Sequence, residues 1–237
     1  MVTLAHWYPN AFTNATYPIP RAMKLGPGEL SVGGMRLVDL RVGVLDALIA
    51  TRSFQPGRDM SAGLTRHGET LVEELLEIGI VVDLTHCTPA AREDVYRINA
   101  ARATPRPLVF SHSGVRALCN ELNNPTDEEI RRIADWGGVI GIIFGNAWLT
   151  DVQRRVDQPD GLGLLVETAD HIRNVGGVDA VGLGSDFDGL TDPFDDLKDS
   201  SEFPRVTQRL LGRFSEAEVR QILGGNARRV LNDGWSR

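Results

Sequence analysis

The chain has 237 residues, 42% hydrophobic and 24% charged, with a formal net charge of −7 and a pI near 5.3, enough for one domain with a sizeable core. It has no Lys/Arg-rich block of the kind that binds nucleic acid or an anionic membrane, and no apolar run approaching the roughly 20 residues of a spanning helix. Met1 leads into Val2-Thr3-Leu4-Ala5-His6 without the parts of an export signal, so the expectation is a cytoplasmic protein with no nucleic-acid partner.

In chain order, the opening strand is followed by a Pro-, Gly- and Asn-rich stretch, residues 7–62, with one apolar segment near Val38 to Ile49. Loops this long are usually lids or binding loops, and the expectation is an insertion over the active rim. Leu64 to Ile78 has helical spacing and stops at Gly79. A strand from Ile80 to His86 follows, then a helix opened by Thr88-Pro89 and running to about Ala101. A second strand runs from Leu108 to His112, and Pro125-Thr126-Asp127-Glu128-Glu129 starts a helix that ends near Trp136-Gly137-Gly138. A strand from Val139 to Phe144, a helix from about Leu162 to Asn174 and a strand from Ala180 lead to a glycine-rich turn at Asp186. Ser215-Glu216-Ala217-Glu218 begins a closing helix.

Strands alternating with helices predict an α/β fold with a parallel sheet, of the (β/α)8 TIM-barrel type, in a single domain spanning 1–237. Five strands are legible, beginning near residues 2, 80, 107, 138 and 180. A complete barrel takes eight strands in about 250 residues. The expectation is therefore an incomplete barrel, its later strands and helices present and its first strands hidden or absent.

Loops beyond the carboxyl ends of such strands share one rim, where His86, His112 and Asp186 would converge. Two neutral imidazoles suit one zinc ion, and a nearby carboxylate can exchange a proton with a metal-activated water. Either histidine alone reads as a strand-end side chain bonded to a carbonyl. The three together point to chemistry. Strand alternation puts Gly182, Gly184 and Asp186 on one face, the glycines inward near a ligand, so Asp186 is preferred to Asp188. His6 could donate to a substrate oxyanion. Asp83 needs a partner if buried and is a candidate for supporting the metal site from behind. His67 and His171 fall within helices, where solvent-facing or capping roles are the expectation. Cys87 and Cys119 read as free thiols, Cys87 as a packing residue. Trp7, Trp148 and Trp235 read as exposed apolar residues compatible with a homodimer.

At these motifs the chain resembles the renal, or membrane, dipeptidase family of zinc peptidases, a group of amidohydrolase-type barrels. The matching pieces are Val2 to His6, Gly63-Leu64-Thr65, Val82 to His86, Val109 to Ser113, Gly182 to Gly189 and Gly225-Asn226. The resemblance implies that His86 and His112 ligate one zinc, that Asp186 assists proton transfer, and that His6 contacts the scissile centre of a small peptide. It also implies two departures. A His-x-Asp pair and a bridging glutamate, which complete a two-zinc site in the family, have no counterpart before His6, so the chain resembles the carboxyl-terminal part of such an enzyme. Asn123 stands where mammalian members place a carboxylate-clasping arginine, which makes Asn123 a candidate substrate contact lacking a charged fork. Arg116 could compensate, although its spacing suggests a surface role.

The resulting expectation is a zinc-dependent dipeptidase-type hydrolase, weak or inactive as this chain alone. The rivals are a non-catalytic binding protein derived from a degenerate barrel and a barrel amidohydrolase acting on a non-peptide amide or lactone.

Overall fold

The structure is a computed structural model, and it describes residues 1–6, 9–16, 59–150, 160–190, 193–194, 196–197 and 199–235. Trp7, the apolar segment near Val38 to Ile49 and most of the 7–62 stretch lie outside the described residues.

Five strands form one sheet: β1 Val2–Thr3, β2 Val82–Asp83, β3 Val109–Ser113, β4 Val139–Ile142 and β5 Val181–Leu183. They are parallel and pair in chain order, with Val2 opposite Val82, Asp83 opposite Val109, Val109 opposite Val139 and Ile140 opposite Val181. Strictly sequential parallel order is what a TIM-type barrel requires, and a doubly wound sheet would reverse direction partway. The described strands make up five of a barrel's eight.

The principal helices are α1 Arg66–Glu77, α2 Pro89–Ala100, α3 Asp127–Asp135, α4 Asn146–Leu149, α5 Gly161–Gly176, α6 Phe203–Leu211, α7 Glu216–Arg220 and α8 Asn226–Trp235. Their starts follow from local chemistry. Thr65 and Thr88 accept the Gly68 and Ala91 amides, while Thr126 with Glu129 and Ser215 with Glu218 form reciprocal capping boxes. The short α4 and the amphipathic α6, with Val206 and Leu210 buried, were not expected from the sequence. None of the described helices is long and apolar enough to cross a membrane.

Alternation along the strands divides the interior. Val82, Leu84, Phe110, Ile140 and Ile142 join Val72 and Leu76 of α1, Val95 of α2, Ile130 and Ile133 of α3, and Leu165 and Ile172 of α5 in the main core. Each aliphatic side chain fully buried here contributes roughly 1.5–3 kcal/mol. The opposite parity, Val81, Val109 and Val139, forms a smaller cluster with Val230 of α8. Asp83 belongs to that second face and is fully buried. Its carboxylate accepts from the Thr3 hydroxyl at 2.8 Å, the Thr85 amide at 3.1 Å and the Ser111 amide at 2.9 Å. Three donors drawn from the region of three strands make Asp83 a clamp on the sheet.

Two expectations are corrected. Trp148 is only 6% exposed, packed in α4 instead of presenting a surface, whereas Trp235 is exposed. The glycines of the last strand answer to the neighbouring strands and not to a ligand: a Cβ on Gly184 would lie 1.9 Å from the Ser111 carbonyl oxygen, and one on Gly182 would lie 2.8 Å from the Val139 side chain. Residues 9–16 cross the site end of the sheet, with Thr13 bridged to Leu64 and Ala15 to Cys87.

Candidate active site

The carboxyl ends of β1, β2, β3 and β5 bring four predicted side chains together. The Nε2 atoms of His86 and His112 face each other at 3.1 Å, and His112 Nε2 lies 3.9 Å from Asp186 Oδ2. The rings of His6 and His86 meet edge-on at 5.0 Å between centroids. Trp148 closes one side, its ring edge-on to His86 at 5.8 Å and to His112 at 6.1 Å.

Local backbone features aim these groups. Among the described residues, the non-glycine positions with positive φ are His86 (64°), Asp186 (56°) and Asp188 (67°), all in the turns that leave β2 and β5. Left-handed residues without a glycine cost energy and gather where a side chain must be directed. Asp188 is exposed, while Asp186 faces His112. In β3 the register against β4 slips between Phe110 and Ser113. An extra residue of this kind re-aims the side chains around it, and here the slip falls on Ser111 and His112.

Burial sets the electrostatics. The His86 imidazole is pushed down to about 3, first by burial and then by His112 and His6. His112 is also lowered by burial, against the opposing pull of Asp186 and Asp83. Asp186 is raised by burial, although His112 and His6 counter it. At neutral pH the two imidazoles are therefore uncharged. Ser111 Oγ holds His112 Nδ1 at 3.0 Å, turning the other ring nitrogen toward His86, whose buried Nδ1 has no hydrogen-bond partner among the described residues.

The donors fit part of a metal site. Two imidazole nitrogens bound tetrahedrally to one zinc stand about 3.3 Å apart, close to the separation of the facing Nε2 atoms. Among the described residues, however, no group of three or more His, Cys, Asp or Glu side chains is arranged to hold a metal ion. The fit is to a two-imidazole donor pair.

Other predicted residues serve differently. Asn123 is buried, and the Thr16 hydroxyl donates to its amide oxygen. Arg116 is not a surface residue but half-buried, donating to the Asn124 carbonyl at 3.1 Å and the Leu122 carbonyl at 3.0 Å, so it braces the Asn123 loop. Cys87 is fully buried, with its thiol pushed up to about 12 by burial, an inert packing residue. His67 is exposed, and His171 pairs with Asp127 at 2.7 Å across α5 and α3. Sequence reasoning missed Trp148 as a wall of the site.

A family model described as "Membrane dipeptidase (Peptidase family M19)" matches residues 1–234. The "Uncharacterized protein in pqqA 5′ region" of Klebsiella pneumoniae is 37% identical over 185 residues, covering 77% of this chain and 65% of that protein. Dipeptidase aclJ of Aspergillus oryzae is 33% identical over 185 residues, 76% of this chain and 41% of that protein. The chain thus spans less than two thirds of the length of either relative. Among solved structures, a metallo peptidase from Rhodobacter sphaeroides liganded with a phosphinate mimic of the dipeptide L-Ala-D-Ala superposes with a TM-score of 0.67 at 26% identity, covering 86% of this chain and 61% of that one. A dipeptidase described as a metallo peptidase of family M19 gives the same TM-score and identity, over 64% of its own chain. With a family match running almost end to end and a sheet in the same barrel order, the chain belongs to the membrane dipeptidase family, Peptidase family M19.

Proposed function

We propose that this chain is a zinc-dependent hydrolase of small peptides, holding one zinc through His86 and His112. The observation that carries the reading is the pair of uncharged imidazoles meeting at 3.1 Å beside Asp186. A zinc ion bound there would supply Lewis acidity, making a water acidic enough to attack an amide near neutral pH.

The chain's own residues do the rest. Asp186 Oδ2 takes a proton from the attacking water and returns it to the departing amine. Its raised pKa brings it closer to the range in which a carboxylate exchanges protons efficiently. His6, exposed at the mouth, donates a ring N–H to the developing oxyanion. Trp148 excludes water from one side of the imidazoles. Asn123, buried and bonded by Thr16, offers a substrate carboxylate no charged fork, which supports modest affinity for such a group.

The relatives named as dipeptidases and the neighbour bound to a dipeptide mimic support a dipeptide substrate. With two imidazoles as its neutral donors, the chain is expected to bind a single zinc weakly and hydrolyse dipeptides slowly. Calorimetric zinc titration with a dipeptide panel tests this. Two tight sites with robust hydrolysis would overturn the donor assignment, and zinc binding unaffected by His112→Ala would overturn the site itself.

A further inference from the structure

The backbone at His86 sits in a left-handed conformation that a histidine adopts at a cost, and such a residue persists only where its surroundings over-determine it. From above, the Thr16 amide and hydroxyl both donate to the His86 carbonyl, at 2.7 and 3.1 Å. The next carbonyl, that of Cys87, is held instead by Arg92 of α2, a fully buried arginine that lies outside the reacting groups.

Arg92 Nη1 donates to the Cys87 carbonyl at 3.0 Å and to the Leu122 carbonyl at 2.9 Å. Cys87 follows His86, and Leu122 precedes Asn123. The remaining guanidinium nitrogens grip Glu129, Nε at 2.6 Å and Nη2 at 3.3 Å, and the Tyr96 hydroxyl adds a bond to the same carboxylate at 3.1 Å. Burial pushes the Glu129 carboxyl up, but Arg92 outweighs it and the net shift is downward, so the pair is ionised. Glu129 is itself fixed by the Thr126 amide at the start of α3. An arginine fork suits this task because its planar donors reach both carboxylate oxygens and two carbonyls, more bonds than the three a lysine can donate. A buried ion pair is weak evidence of added stability, because desolvation of the two charges offsets their attraction.

We propose that Arg92 is a positioning residue of the active site, pinning the strained His86 turn to the Asn123 loop through the Cys87 and Leu122 carbonyls and thereby aiming His86 at His112. The inference rests on the zinc-site reading for its consequence and on the hydrogen-bond geometry for its cause.

Two measurements on Arg92→Met/Glu129→Met, which removes both charges and keeps apolar bulk, test it. Amide hydrogen exchange in metal-free protein should quicken about tenfold at residues 85–88 and 121–124, with helix α8 unchanged. Zinc affinity should fall about tenfold or more, as when a ligand's supporting contact is lost. Arg92→Lys, which keeps Glu129 paired, should give intermediate values in both. If the two segments exchange no faster than α8 tracks, or if affinity stays at the parent value, Arg92 is merely structural and the proposal fails. Should the double variant not fold, Arg92→Lys decides by the same readouts, and parent-like behaviour in both overturns the proposal. Failure of the zinc reading shows separately, as an absence of His112-dependent zinc binding in the parent chain, while the metal-free exchange still judges Arg92.

Discussion

The ends of β2 and β5 both leave the sheet through a left-handed residue, His86 and Asp186, yet they are held in opposite ways. His86 is only 4% exposed, and the carbonyls of His86 and Cys87 are bound by Thr16 and Arg92, which are distant in sequence. The Asp186 side chain is 27% exposed, and among the described residues its carbonyl accepts from Gly189 and Leu190 of its own turn. The imidazole corner is thus fixed by tertiary contacts, whereas a local turn shapes the carboxylate corner. Under the proposed function the first corner would hold a metal, which demands preorganisation, and the second would exchange protons, which tolerates some play.

Substitutions at the two corners should separate these roles. The largest effect is expected from His86→Asn, since asparagine accepts a left-handed backbone and removes the imidazole without adding strain. Calorimetry should show His-dependent zinc binding abolished. Asp186→Asn likewise preserves its turn. It should leave zinc binding intact and cut hydrolysis by the zinc-loaded chain by about 10²- to 10⁴-fold in a dipeptide assay. A parallel loss of zinc binding in that variant would make Asp186 a ligand and erase the distinction between the corners.

Acid stability sharpens the comparison further. His86 stays neutral in the folded protein down to about pH 3, whereas the unfolded chain protonates it near pH 6.5. Between those values the unfolded state holds more protons, so stability that is complete above pH 6.5 is lost as pH falls toward 3. One such group gives a slope of about 1.4 kcal/mol per pH unit. The downward shift of His112 acts in the same direction, and the upward shift of Asp186 partly offsets both at the acid end. Thermal melts from pH 7 to pH 4 should therefore fall more steeply for the parent than for His86→Asn. The smallest effect is expected from Thr16→Val, which removes the hydroxyl bonds to His86 and Asn123 and keeps the backbone amide bond. Denaturant unfolding should show a loss of about 1 kcal/mol.

Much of the fold was readable because its signals are local. Thr65, Thr88, Thr126 and Ser215 announce helix starts through contacts three residues away, and the five strand positions follow from apolar runs bounded by glycine and proline. Helix α6 carried its own signal, with Pro204 in the first turn and Phe203, Val206 and Leu210 spaced three and four apart. The convergence of His6, His86, His112 and Asp186 was also foreseeable, since sequential parallel strands deliver their ends to one rim. Burial of Trp148 was not, because an isolated tryptophan after a strand reads the same whether it meets solvent or two imidazoles.

By itself the amino-acid sequence determined the order of strands and helices, the caps that start the helices and the residue types gathered at one end of the sheet, since each depends on neighbours a few positions away. Only the tertiary structure decided the left-handed turn at His86, the register slip beside His112 and the ion pair of Arg92 with Glu129. Those features exist because groups far apart in the chain share one small buried volume, where an unpaired polar group or charge is costly.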